Sequence, residues 1–139
     1  AEVATFLRCY RYLPGDASRP HWDRSFVHCE TPNVTSDFSA YSLLLYVGDA
    51  CEGGETTFFE PDASIPASRK GLTPQCDRAS LIVAASVVPR LGDALVFPHG
   101  AYPGCHPSPL HEGSEVTSGE KLLVRTDIVF RCPRPKAAL

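Results

Sequence analysis

Apolar residues along this chain come in short runs cut by Pro, Gly and Asp, and no long stretch repeats them at helical spacing. Thr5–Tyr12 is β-rich and ends at the turn signal Pro14-Gly15-Asp16. His21–His28 forms a second extended segment. Tyr41–Val47 is strongly strand-like and stops at Gly48-Asp49, and Glu55–Phe59 follows Gly53-Gly54. Leu81–Val88 and Ala94–Phe97 flank Pro89-Arg90-Leu91-Gly92-Asp93, so they are expected to close as a hairpin. Glu115–Thr117 and Lys121–Phe130 flank Ser118-Gly119 in the same way. Residues 61–80 and 98–110 read as loops, and the Pro-rich tail after Cys132 is expected to fray. Many short strands separated by turn signals predict an all-β sandwich or barrel.

Composition narrows the class. The 139 residues suit one domain, 1–139, and 43% hydrophobic content can build a core. The net charge of -3, without any basic stripe, argues against a nucleic-acid partner. No apolar run approaches the ~20 residues of a membrane span. The sequence contains no Met, so the chain is expected to be processed or excised from something longer. Six cysteines, none in a CxxC pair, leave disulfides and buried free thiols both open. With the sequon Asn33-Val34-Thr35, their even number leans toward an oxidising, endoplasmic-reticulum-like compartment.

The candidate chemistry starts at His21-Trp22-Asp23. On an extended chain, residues two apart point to the same side. His21 and Asp23 would then face one cavity, with Trp22 packed behind them. An imidazole and a carboxylate on a shared face supply two metal ligands. Two His and one carboxylate, with open positions left over, make the facial triad of non-haem Fe(II) oxygenases. A lone HxD is weak evidence, since such triplets arise by chance.

The surrounding segments strengthen it. Tyr12-Leu13-Pro14-Gly15 followed by Arg19-Pro20-His21-Trp22-Asp23 resembles the first metal-binding motif of prolyl 4-hydroxylase-like enzymes, within the Fe(II)/2-oxoglutarate dioxygenase superfamily. Leu44-Leu45-Tyr46 through Glu52-Gly53-Gly54-Glu55-Thr56-Thr57-Phe58 is similar to that family's next strand pair. Val88-Pro89, Gly92-Asp93-Ala94 and Phe97 resemble the segment after it, and His111-Glu112-Gly113 with Val116, Gly119 and Lys121 the distal motif. The resemblance runs from about residue 6 to 130, in family order, and is weakest in the loops at 61–80 and 98–110.

This resemblance implies a double-stranded β-helix, or jelly roll, of about eight strands. It implies Fe(II) bound by His21, Asp23 and His111, with 2-oxoglutarate and dioxygen as co-substrates and ascorbate as reductant. It further implies that Lys121 pairs with the far carboxylate of 2-oxoglutarate, joined by the Tyr12 hydroxyl, to which Tyr10 is a rival. A buried anionic end must be paired. Arg125 competes with Lys121, because a hairpin centred on Ser118 would bring Arg125 near His111; Arg125 could instead pair with Asp127. Position 127 also departs from relatives that carry Trp there. The implied reaction is hydroxylation of a C–H bond, foremost of a peptidyl proline in a protein or peptide substrate, with the loop 61–80 as a lid. Two other readings stay open: a catalytically silent jelly-roll binding domain, and a cupin-type metalloenzyme that does not use 2-oxoglutarate and has no need of Lys121.

Other residues carry plainer expectations. Trp22 suits the core, and Arg24 and His28 the surface. His99 suits a turn, with a role at the pocket mouth as the sharper option. Cys105-His106 with His111 lacks a fourth zinc ligand at sensible spacing. Gly53-Gly54 suits a tight turn or bulge. Glu52 and Glu55 lack the companions of a glycosidase pair.

Overall fold

A computed structural model of the chain describes residues 1–25, 27–31, 35–61, 77–99 and 107–133. Within them lie β1 (Glu2–Val3), β2 (Arg8–Tyr12), β3 (Ser18–His21), β4 (Val27–Thr31), β5 (Thr35–Tyr46), β6 (Glu52–Gly53), β7 (Thr56–Phe59), β8 (Val83–Val87), β9 (Ala94–Pro98), β10 (His111–Gly113), β11 (Val116–Ser118) and β12 (Lys121–Pro133). A 3-10 turn, Arg78–Ser80, is capped by the Asp77 side chain, which accepts from the Ala79 N–H.

The strands form two main antiparallel sheets, as a jelly roll requires. The larger is built on the long strands β5 and β12, paired from Leu123↔Tyr46 to Pro133↔Thr35. β1 and β2 add to the far side of β12, and β4 and β9 to the far side of β5. The second sheet runs β3-β10-β7-β8, and β6 pairs with β11 beside it. A bulge in β5 at Ala40 shifts the register with β12 and turns the Ala40 carbonyl to the His99 N–H, 2.9 Å away.

The inward faces make the core. Leu44, Tyr46, Phe97 and Leu123 form its buried centre, with Tyr10, Tyr12, Phe58, Val87 and Leu95 packed around them. Phe59, Leu81 and Leu110 form a second cluster, against which Trp22 packs. Full burial of such side chains contributes about 1.5–3 kcal/mol each.

Both expected hairpins are absent. β8 pairs with β7 in one sheet, while β9 pairs with β5 in the other. The segment Pro89–Asp93 therefore carries the chain across the sandwich, with Gly92 at φ 89° making the reversal. β11 likewise pairs with β6 rather than with β12. The turn signals were real, but a turn does not decide which sheet receives the next strand. The extended segment expected over His21–His28 is also broken: β3 ends at His21 and β4 begins at Val27. Most of the loop 61–80, the Cys105-His106 pair, the Asn33 sequon and the tail after Pro133 lie outside the described residues.

Candidate metal centre and co-substrate pocket

Three elements bring the candidate ligands together. β3 and β10 are neighbours in register His111↔His21, which sets the two imidazoles side by side with centroids 4.4 Å apart. Asp23 stands two residues past the end of β3. Its N–H donates to Ser108 Oγ at 3.1 Å, which holds the chain in line, while Trp22 packs to the opposite side. One ligand atom from each of His21, Asp23 and His111 then lies within 4.8 Å of the others.

The ring nitrogens are already assigned. His21 Nδ1 donates to the Arg19 carbonyl at 2.7 Å, and His111 Nδ1 to the Pro109 carbonyl at 3.0 Å. Each histidine thus uses the carbonyl two residues before it, and each Nε2 is left to face Asp23, at 3.6 Å and 3.8 Å. Fixing one nitrogen on a carbonyl to aim the other is the usual support of a metal-binding imidazole. The His111 ring is wedged between Phe97 (4.7 Å) and Phe58 (5.8 Å).

Electrostatics follow from burial and neighbours. Burial pushes His111 down to about 4 against the pull of Asp23, so its imidazole is neutral at pH 7. Burial acts the same way on His21, but the facing Asp23 carboxylate and the Arg19 carbonyl outweigh it and raise the pKa. For Asp23, burial opposes ionisation; His21, Arg125, His111 and Ser42 overcome it and hold the carboxyl well below the usual carboxylate range. Two imidazole nitrogens and an ionised carboxylate, converging at the rim of a cavity, fit a divalent cation.

That cavity, about 200 Å³, is lined by all three residues and runs to Lys121, with Tyr10, Tyr12, Leu44, Thr56, Phe97 and Leu123 in its walls. It is smaller than a drug-sized pocket and suits a compact ligand. Lys121 is buried, and its Nζ donates to the Gly54 carbonyl at 2.6 Å. The rings of Tyr12 and Tyr46 stand 5.3 Å and 5.9 Å from the ammonium. Burial lowers the Lys121 pKa. Burial and the nearby Tyr10 raise that of Tyr12, so its phenol remains a hydrogen-bond donor at neutral pH. Both tyrosines line the cavity, but Tyr12 is the one paired with Lys121 across the β2–β12 ladder.

Arg125 lines the same cavity as His111, as the sequence suggested, but not through the hairpin expected at Ser118, and its partner is Asp23 rather than Asp127. Its Nη2 donates to Asp23 Oδ1 at 2.8 Å, reaching across from the larger sheet. Ser42 Oγ donates to the other carboxylate oxygen at 2.5 Å and is itself 2.8 Å from His99 Nδ1. His99 is fully buried behind Ser42, not at the pocket mouth. Asp127 Oδ1 stands 3.6 Å from the same His99 nitrogen. Sequence reasoning did not find Ser42; its signal, a polar residue inside the strand-like run Tyr41–Val47, was too ordinary to stand out. Arg24 is exposed, and Cys9 and Cys51 are free thiols.

Comparison with known proteins adds to this geometry. No protein-family model matches the chain. It is 34% identical over 119 residues to Probable prolyl 4-hydroxylase 4 of Arabidopsis thaliana, covering 83% of this chain and 38% of that protein. It is 32% identical over 124 residues to Prolyl 4-hydroxylase 1 of the same plant, covering 87% and 39%. The chain therefore spans under half the length of these relatives. Among solved structures it resembles the viral collagen prolyl hydroxylase of Paramecium bursaria Chlorella virus-1, solved as a 2-oxoglutarate complex. There the TM-score is 0.52 at 23% identity, over 91% of this chain and 57% of that one, which shows a shared fold. Together with the jelly-roll core, these matches fit the chain to the 2-oxoglutarate oxygenase superfamily. Within that superfamily its similarity is to prolyl 4-hydroxylases.

Proposed function

We propose that this chain is the catalytic core of an Fe(II)- and 2-oxoglutarate-dependent dioxygenase that hydroxylates a C–H bond, foremost that of a prolyl residue in a protein or peptide. One observation carries the reading: a single cavity is lined by both the His21–Asp23–His111 cluster and the buried Lys121 side chain. The relatives' names point to the same chemistry and supply the prolyl substrate.

The residues divide the work. His21, Asp23 and His111 would hold the metal, and the cavity they line would receive the co-substrate. Lys121 and Tyr12 would take the far carboxylate of 2-oxoglutarate. One of the three Lys121 donors is spent on Gly54, so two remain for the ligand. Lys121 and Arg125 are four residues apart on β12, roughly 13 Å along the strand, and Arg125 is committed to Asp23. That favours Lys121 as the anchor. Leu44, Phe97 and Leu123 wall the cavity and keep water from the reacting groups. The bound iron, reduced by ascorbate when needed, supplies the oxidising chemistry: 2-oxoglutarate and dioxygen are consumed, and succinate, carbon dioxide and the alcohol are formed.

The test is succinate formation by the purified protein with Fe(II) and ascorbate, with and without proline-rich peptides, beside a His111→Ala control. Iron-dependent turnover that is stimulated by a peptide and lost in the control supports the reading. Failure of the protein to bind either Fe(II) or 2-oxoglutarate overturns it.

A further inference from the structure

We propose that His99 and Ser42, with the Asp127 carboxylate beside them, form a directed hydrogen-bond chain that positions the Asp23 carboxylate for metal binding. The proposal rests on the reading of His21, Asp23 and His111 as metal ligands.

The need arises from where Asp23 sits. It lies beyond the last residue of β3, so no strand ladder fixes it. Support comes instead from the opposite sheet. There Ser42 of β5 is paired with Asp127 of β12 on one side and Phe97 of β9 on the other. This register, with the hook of His99 N–H on the bulged Ala40 carbonyl, gathers Ser42, His99 and Asp127 into one buried group.

The proton positions follow from donor and acceptor inventories. Asp23 is paired with Arg125 and therefore ionised, and a carboxylate only accepts. The single Ser42 proton must go to Asp23 Oδ2. Ser42 Oγ can then only accept from His99, which requires the proton on Nδ1. Asp127 Oδ1, 3.6 Å from that nitrogen, favours the same tautomer. The chain thus runs from His99 through Ser42 to one oxygen of Asp23, with Asp127 behind it, while Arg125 holds the other oxygen. The carboxylate is pinned at both oxygens from a sheet to which it does not belong.

A Ser-His-Asp nucleophile does not account for this group. Ser42 is fully buried, and Ser42 and Asp127 both meet the same imidazole nitrogen, whereas that mechanism needs one on each. As built, the group can orient Asp23 but cannot attack a substrate.

The test is titration of the purified protein with Co(II), followed by visible absorption, which reports both affinity and ligand geometry. Urea unfolding midpoints are measured alongside. Ser42→Ala and His99→Leu should each weaken Co(II) binding about 10- to 100-fold, the range for loss of a ligand's supporting partner. His99→Asn keeps an amide donor near the Nδ1 position and should recover most of the loss. Binding within twofold of the wild type in folded Ser42→Ala and His99→Leu overturns the proposal while leaving the metal reading intact. Equal losses in His99→Asn and His99→Leu also overturn it, since packing alone would then explain the effect. If Ser42→Ala does not fold, the two His99 variants decide. No Co(II) binding by the wild type, with Fe(II) binding also lost, overturns the metal centre itself.

Discussion

Lys121 stands directly across the β2–β12 ladder from Tyr12, with its ammonium 5.3 Å from the centre of the Tyr12 ring. Strand pairing, not a flexible loop, therefore fixes the distance between the two residues proposed to anchor the co-substrate. Removing one member of a buried charge pair costs about 2–5 kcal/mol, which is roughly 30- to 4,000-fold in affinity. Lys121→Met should raise the Kd for 2-oxoglutarate by about that factor, measured by calorimetry with Co(II) in place of iron. Tyr12→Phe, which removes one hydrogen bond, should cost only about 10-fold. Co(II) affinity without 2-oxoglutarate should stay within a few-fold of the wild type in both, because neither residue belongs to the metal cluster.

The same lysine should leave a mark on stability. Burial depresses its pKa in the folded protein, so between the folded and unfolded values the unfolded chain binds the extra proton. Stability then rises with pH through that window, which closes near ~10.4 where a solvated lysine titrates. Below it, a charged Lys121 costs the ligand-free fold free energy. Urea unfolding of wild type and Lys121→Met should show the variant gaining on the wild type at neutral pH, with the advantage shrinking as pH approaches that limit. A pH-independent difference would contradict the assignment. Saturating 2-oxoglutarate should shift only the wild type upward.

Gly53 and Gly15 both have positive φ, 72° and 92°, yet only one is crowded. A Cβ on Gly53 would meet the Glu115 carbonyl at 2.2 Å, whereas one on Gly15 meets nothing within 4 Å. Gly15→Ala should therefore cost about 1 kcal/mol, the backbone effect alone. Gly53→Ala should cost about 3 kcal/mol or more, because β6 must move off β11. Since Gly54 carries the carbonyl that Lys121 grips, Gly53→Ala should also weaken 2-oxoglutarate binding, which Gly15→Ala should not.

The sequence revealed some of this architecture and hid the rest for identifiable reasons. Alternating apolar strands and turn signals pointed to an all-β sandwich, and β7, β9 and the start of β12 lie close to where they were expected. The pairing of strands was not legible. In a jelly roll, Gly92 and Gly119 reverse the chain between sheets, yet a reversal inside one sheet would use the same residues. At the candidate site, the two-residue spacing put His21 and Asp23 on one face, while His111 and Lys121 were reached only through the resemblance to prolyl 4-hydroxylase-like enzymes. Ser42 did not stand out, and His99 was read as a turn residue or a residue of the pocket mouth rather than as a buried partner. A serine in a strand and a histidine beside a proline carry no distinctive pattern; only the register of β5 with β9 and β12 makes them neighbours of Asp23. Arg125 fell between these cases: its residue type marked it as an anion partner, but the anion it meets is on the other sheet.

Asp23 and Arg125 offer a test that separates charge burial from metal binding. The Asp23 side chain is 3% exposed and Arg125 18%, and they meet at 2.8 Å. Removing one member of a buried ion pair strands the other, at about 3–5 kcal/mol, whereas replacing both by apolar groups is often nearly neutral. Asp23→Ala should therefore be strongly destabilised in urea, and Asp23→Asn less so, since an amide oxygen can still accept from Arg125 or Ser42. The double variant Asp23→Ala, Arg125→Met should recover much of the stability lost in Asp23→Ala. Such a coupling is what a double-mutant cycle detects for residues in contact. Metal binding should follow a different order. Asp23→Ala, Asp23→Asn and the double variant should all lose Co(II) affinity by at least about 100-fold, because each lacks the anionic ligand. Stability restored without metal binding would show that Arg125 serves the carboxylate and that the carboxylate serves the metal. If the double variant bound Co(II) as the wild type does, Asp23 would be a structural acid and His21 and His111 would need another third ligand.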